Sequence, residues 1–141
     1  MKMLLAVDGS EYSRRAADYV VKHASALAQP PEVHLLYVHP AMPLPGAAAA
    51  VGKRAVTKYQ REEAEKALAV AEKELKASKL AFKSSWRTGE IARVLGEYIA
   101  ENGIDLLVMG SRGRGALEGL ALGSTTMKVL ASLKTPALII R

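Results

Sequence analysis

The stretch Ile104-Asp105-Leu106-Leu107-Val108-Met109-Gly110-Ser111-Arg112-Gly113-Arg114-Gly115 passes from an apolar run straight into a glycine-rich loop, and at Gly123-Ser124-Thr125 a helical pattern resumes. The run is broken only by Asp105, as expected of a strand covered on both faces, which places it mid-sheet. A short helix over 124–133 follows, and then Ala137-Leu138-Ile139-Ile140, a last strand entered through Pro136, where a missing N–H does least harm. Strand, loop, helix, strand in this order is the repeating unit of a parallel sheet.

Upstream the same alternation recurs. Residues 3–7 form an apolar run that stops at Asp8-Gly9-Ser10, and the stripe Ala16, Ala17, Val20, Val21, Ala24, Leu27, Ala28 predicts a helix capped by Ser10 and closed by Pro30-Pro31. A second strand spans 33–38. It opens into the proline- and glycine-rich segment 40–52, long and irregular enough to serve as a mobile flap. From Lys53 to about Ala77 the stripe Val56, Tyr59, Ala64, Ala67, Leu68, Ala71, Leu75 predicts an amphipathic crossover helix. Leu80, Phe82, Ser84 and Trp86 alternate with Ala81, Lys83, Ser85 and Arg87, the period of a strand with one wet face at a sheet edge. Thr88 is read as the cap of the next helix, with the stripe Ile91, Val94, Leu95, Tyr98, Ile99 and a left-handed stop at Asn102-Gly103.

Five strands alternating with four helices predict an α/β three-layer sandwich: a five-stranded parallel sheet with right-handed crossovers and helices on both faces. In the order 3-2-1-4-5 the winding reverses between strands one and four. The ends of strands one, two and four, at Asp8, Val38 and Gly110, then line the crevice in which such sheets bind ligands.

At 141 residues, half of them hydrophobic, the chain has room for one domain, 1–141, and not for two. The absence of cysteine excludes disulfides, zinc–thiolate sites and a thiol nucleophile. With no secretory signal at the start and no run of membrane-spanning length, a soluble cytoplasmic protein with no membrane association is expected. The net charge of +6 admits anionic partners, but the seven aromatic residues are not interleaved with cations as a base-stacking platform requires, which points away from nucleic acid. From Leu106 onward there are five cations and one acid, so part of the excess surrounds the glycine loop.

Phosphates need several N–H groups pointing inward at close range, and a turn that supplies them puts residues at φ above zero, for which Gly110, Gly113 and Gly115 are suited. Gly123, Ser124 and Thr125 add the positive end of a helix and two hydroxyls. The competing reading is a surface loop that merely turns a corner. The pattern is not a P-loop, because Ser124 and not lysine follows Gly123. Nor is it the dinucleotide fingerprint, since Gly113, Gly115 and Gly119 follow the fourth strand and are spaced one too wide. A phosphate-accepting receiver would need clustered acids at the first strand, where Asp8 stands alone.

The spacing Gly110-x2-Gly113-x9-Gly123-Ser124 resembles the universal stress protein family in its ATP-binding branch. Leu5-Ala6-Val7-Asp8-Gly9-Ser10, Leu36-Tyr37-Val38-His39, the strand from Asp105 to Gly113 and Thr135-Pro136-Ala137-Leu138-Ile139-Ile140 are similar to that family's first, second, fourth and last strands. The resemblance implies a Rossmann-like, adenine nucleotide alpha hydrolase-like sandwich. It further implies ATP with its adenine on the backbone of Val38, Ala6 and Asp8 against base and ribose, and the phosphates over Gly110, Ser111, Arg112, Gly113, Arg114 and Gly115 and against Gly123, Ser124 and Thr125. Mg2+ or Mn2+ would be held through the phosphates, with Asp8 reaching it through water as an alternative to a helix-leading cap.

Hydrolysis needs a residue that positions water. His39 is the nearest histidine to the crevice and a poor candidate, so the expectation is a nucleotide-responsive stress or regulatory protein whose segments 40–52 and 111–122 reorganise on binding. A slow ATP hydrolase or phosphotransfer enzyme on the same site is the alternative, and a flavin carrier finds no phosphate loop in Gly9-Ser10-Glu11-Tyr12-Ser13. The apolar last strand, Ala137–Ile140, at a sheet edge predicts a homodimer by antiparallel pairing.

Overall fold

The computed structural model describes residues 1–41, 46, 49, 50, 52–115, 117 and 119–141. Residues 42–45, 47, 48 and 51 of the expected flap, and 116 and 118 of the glycine loop, lie outside them. Among the described residues the strands are β1 (Lys2–Val7), β2 (Glu32–Pro40), β3 (Phe82–Gly89), β4 (Leu106–Gly110) and β5 (Ala137–Ile140). The helices are α1 (Glu11–Ala24), α2 (Lys53–Ala77), α3 (Ile91–Asn102) and α4 (Ser124–Ser132). All strand pairs are parallel, in the order β3-β2-β1-β4-β5, so the reversal falls between β1 and β4 as expected.

Strand alternation divides the core into two layers. On one face Met3, Leu5, Val7, Leu35, Tyr37 and Val108 meet α1 and α2. There the alanines Ala64, Ala67 and Ala71, all without exposure, let α2 lie close. On the other face Leu4, Leu36, Val38, Leu107 and Met109 meet Leu95, Tyr98 and Ile99 of α3 and Val129 of α4. His34 is buried in this second layer, tied to Tyr98 Oη through Nδ1 at 3.0 Å and to Glu32 Oε1 through Nε2 at 3.0 Å.

Three local expectations are corrected. α1 ends at Ala24, short of Pro30-Pro31; beyond it Ala26 and Leu27 donate to His23 O and Ala24 O, three residues back, so Leu27 still reaches the core from a tighter turn. Thr88 lies within β3 opposite His39, and Glu90 caps α3, its carboxylate accepting from Ala92 N at 3.2 Å and Arg93 N at 2.7 Å. Tyr59, read as part of the buried stripe, is 56% exposed. At about 1.5 Å per residue the 25 residues of α2 outrun the sheet, and its first turns project past the strand ends.

Ser10 does cap α1, accepting from Ser13 N, and Gly103 closes α3 in the left-handed conformation. β5 pairs only with β4 and is partly exposed, beside Met127 and Leu130 of α4, which face outward. No helix among the described residues is long and apolar enough to cross a membrane.

Candidate nucleotide site

A cavity of about 410 Å3 opens at the carboxyl ends of β1, β2 and β4. One half is an apolar slot between Ala6, Leu36, Val38, Ile91, Leu95 and Met109. Its floor follows from register: Ala6 stands beside Leu36 on one side and Met109 on the other, and the small side chain between two large ones leaves the gap. Because β1 ends at Val7 opposite Tyr37, the β1-facing edge of β2 at Val38 has no strand partner. The other half is polar, with Asp8, Ser13, the loop from Arg112 to Gly115, and Gly123, Ser124, Thr125 and Thr126. A larger groove, about 690 Å3, lies among Val21, Ala24, Pro30, Leu80 and Phe82 at the opposite end of the strands, away from the switch point and without convergent polar groups.

The start of α4 carries much of the polar half. Gly123 is its N-cap without a side-chain capping bond, and the first intrahelical bond is donated by Met127 N to Gly123 O. The amides of Ser124, Thr125 and Thr126 therefore have no acceptor within the helix. Ser124 and Thr125 are exposed at the cavity, whereas Thr126 is buried and donates from Oγ1 to Gly110 O at 3.2 Å, so its hydroxyl joins α4 to β4.

Asp8 is the most heavily bonded residue of the site. Its Oδ1 accepts from Ser10 N at 2.9 Å and Ser13 Oγ at 2.8 Å, and its Oδ2 accepts from Arg114 N at 2.8 Å. Its own amide donates to Ser13 Oγ at 2.9 Å. Burial pushes the carboxyl up, but the hydrogen bonds from Ser10, the Arg114 amide and Ser13 outweigh it and hold the group below its ordinary 3.8. Burial also raises the phenol of the neighbouring Tyr37 above its usual value.

The two loop arginines diverge. Arg114 turns toward α2, with Nη1 3.6 Å from Glu63. Arg112 lays its guanidinium over Tyr12, 4.9 Å from the ring centroid. Its Nε is buried without a hydrogen-bond partner among the described residues.

Eleven of the twelve residues expected at the site line this cavity: Ala6, Asp8, Val38, Gly110, Arg112, Gly113, Arg114, Gly115, Gly123, Ser124 and Thr125. Ser111 does not. It is 1% exposed, donates its amide to Ile140 O at 2.6 Å and accepts from Gly123 N at 2.8 Å, so its backbone is spent joining β4, β5 and α4.

The expected reason for the glycines is also corrected. Of Gly110, Gly113 and Gly115, only Gly115 has positive φ, at 72°. Gly110 and Gly113 are needed for room: a Cβ at Gly110 would sit 2.6 Å from Tyr12 Cβ, and one at Gly113 would overlap Asp8 Oδ2. His39 lies outside the cavity lining, its ring edge-on to Tyr37 and Tyr59.

Leu36, Ile91, Leu95 and Met109 were not anticipated at the site, although Leu36 shares a face with Val38 and the other three belong to apolar runs already read as core.

The geometry has counterparts among known proteins. A universal stress protein of Thermus aquaticus is 36% identical over 145 residues, covering 99% of this chain and 97% of its own. The solved structure of protein MJ0577 superposes with a TM-score of 0.79 at 26% identity, covering 99% of this chain and 94% of that one. An Arabidopsis thaliana universal stress protein family member shares the fold at 14% identity and a TM-score of 0.68, over 99% and 90% of the two chains. The universal stress protein family model matches residues 1–141, and the chain belongs to that family.

Proposed function

We propose that this universal stress protein binds an adenine nucleotide, ATP in the first instance, and acts as a nucleotide-responsive regulatory protein. The observation that carries the reading is the joining, in one cavity, of an apolar slot over Ala6 to a polar rim made of the uncommitted amides of α4, the Ser124 and Thr125 hydroxyls and Arg112. Adenine fits the slot with its edge against the open backbone at Val38. The phosphates lie toward Gly113, Arg112 and the start of α4. Two structures that share the fold support adenine as the base: one universal stress protein is in complex with cAMP, and the Arabidopsis thaliana protein has AMP bound.

Asp8 is the one carboxylate lining the cavity, and no three His, Asp or Glu side chains gather as metal ligands among the described residues. Mg2+ or Mn2+ at this site would take its ligands chiefly from the phosphates. The lining offers no histidine to position water, which favours binding over turnover. Assembly as a homodimer through β5 belongs to the same proposal, since its free edge lies beside Met127 and Leu130.

Calorimetric titration with ATP, AMP, cAMP and GTP tests the reading. Adenine nucleotides are expected to bind, and Ser124→Ala to weaken ATP by about tenfold, the worth of one hydrogen bond to a charged group. No heat with any adenine nucleotide in the presence of Mg2+ would reduce the glycine loop to a turn.

A further inference from the structure

Resting on the nucleotide reading above, we propose that Asp8 acts on the bound nucleotide through the glycine loop: its carboxylate fastens the Gly113–Arg114 peptide to the end of β1 and thereby sets the geometry in which the loop meets phosphate. Asp8 is a positioning residue, touching neither ribose nor metal. A lone carboxylate beside a polyphosphate repels it unless its charge is spent on donors or on a cation. Here it is spent on donors, since three of its roughly four acceptor positions are taken by Ser10 N, Ser13 Oγ and Arg114 N.

The fastening is built from both sides. Ser13, 3% exposed, donates its hydroxyl to Asp8 Oδ1 and accepts the Asp8 amide, so the carboxylate is aimed before the loop arrives. From the loop, the Arg114 guanidinium crosses Gly9 to Glu63 of α2, adding a second tie at the residue whose amide Asp8 holds. Two glycines make room for it. A Cβ on Gly9 would come within 2.5 Å of Arg114 Nη2, and one on Gly113 would overlap Asp8 Oδ2. Gly115 and Gly119, farther along the loop, have open space around them.

The test compares the full-length protein with Asp8→Ala and with Gly113→Ala, which breaks the same fastening from the loop side and leaves the bonds of Asp8 to Ser10 and Ser13 in place. By titration, both variants should bind ATP about tenfold more weakly and adenosine within about twofold of the parent. The loss should persist with 2′,3′-dideoxy-ATP and with EDTA in place of Mg2+. In the nucleotide-free protein, trypsin should cut after Arg112 and Arg114 about tenfold faster in both variants.

A loss for Asp8→Ala that vanishes with the dideoxy nucleotide would mean direct ribose contact, and one that vanishes without Mg2+ would mean a metal ligand; either overturns the proposal. So would trypsin rates equal to the parent's. Failure of the parent to bind any adenine nucleotide would instead remove the proposed function, and the trypsin comparison would still decide whether the loop is fastened.

Discussion

Replacing Ala6 by leucine separates the nucleotide slot from the stability of the fold. The Ala6 side chain lies between Leu36 and Met109 of the adjoining strands and is only partly buried, because the slot above it is open. Leucine adds three carbon atoms directed into that gap, against Ile91 and Leu95 across it. At about 0.8 kcal/mol per buried methylene, and with burial incomplete at the cavity mouth, the gain is about 1–2 kcal/mol. For a domain of this size that is a rise in Tm of about 3–6 °C. Adenine and the new side chain cannot occupy the same space, so ATP affinity should fall on the order of 100-fold, about 2.7 kcal/mol. Differential scanning calorimetry with and without saturating ATP reads both effects in one experiment. The parent should gain Tm with ATP and the variant should not, while the variant's own Tm is the higher of the two without ligand. Unchanged ATP-induced stabilisation in Ala6→Leu would refute the placement of the base over β1.

Tyr98→Phe removes the partner of His34 Nδ1 in a layer where His34 is 2% exposed, and should cost about 1–3 kcal/mol in urea unfolding. Combining it with His34→Leu should recover part of that, and strict additivity would argue against the pairing. The Asp8 carboxyl lies below its ordinary 3.8, so the stability it contributes is complete above that value and is lost as pH falls through its lower folded value. ATP affinity should accordingly be flat from about pH 5 to 8 as far as Asp8 is concerned, and a step there abolished by Asp8→Asn would contradict the shift. Leu138→Lys places a charge on the free edge, and light scattering should give a dimer for the parent and a monomer for the variant; a monomeric parent at micromolar concentration would end the edge-pairing proposal.

The sheet was legible because its central strands are continuous apolar runs with nothing else to become, and the site's position followed from where the winding reverses. What was missed depended on contacts between residues distant in sequence or on backbone bonds. Leu27 continues the α1 stripe yet belongs to a tighter turn, since periodicity registers which side chains reach the core and not which hydrogen bond carries them there. Thr88 and Glu90 both have capping side chains, and the choice was made by β3 extending through Thr88 alongside β2. The glycines of the loop were read for their torsions, but Gly110 is required by Tyr12 and Gly113 by Asp8, partners about a hundred residues away. Ser111 was placed among the phosphate contacts by its neighbours in sequence; its amide instead closes onto Ile140.

That bond at Ser111 gives the edge strand and the nucleotide loop a common root. The same residue receives the Gly123 amide through its carbonyl and gives its own amide to the last position of β5, so the floor of the phosphate end and the rim of the sheet are adjacent links of one chain of hydrogen bonds. A load applied along β5, by a pairing strand or a bulky fusion beyond it, is transmitted within two bonds to the point where α4 begins. Occupancy of the crevice and whatever leans on that outer strand therefore share a hinge pin, and neither can shift register without tugging on the other.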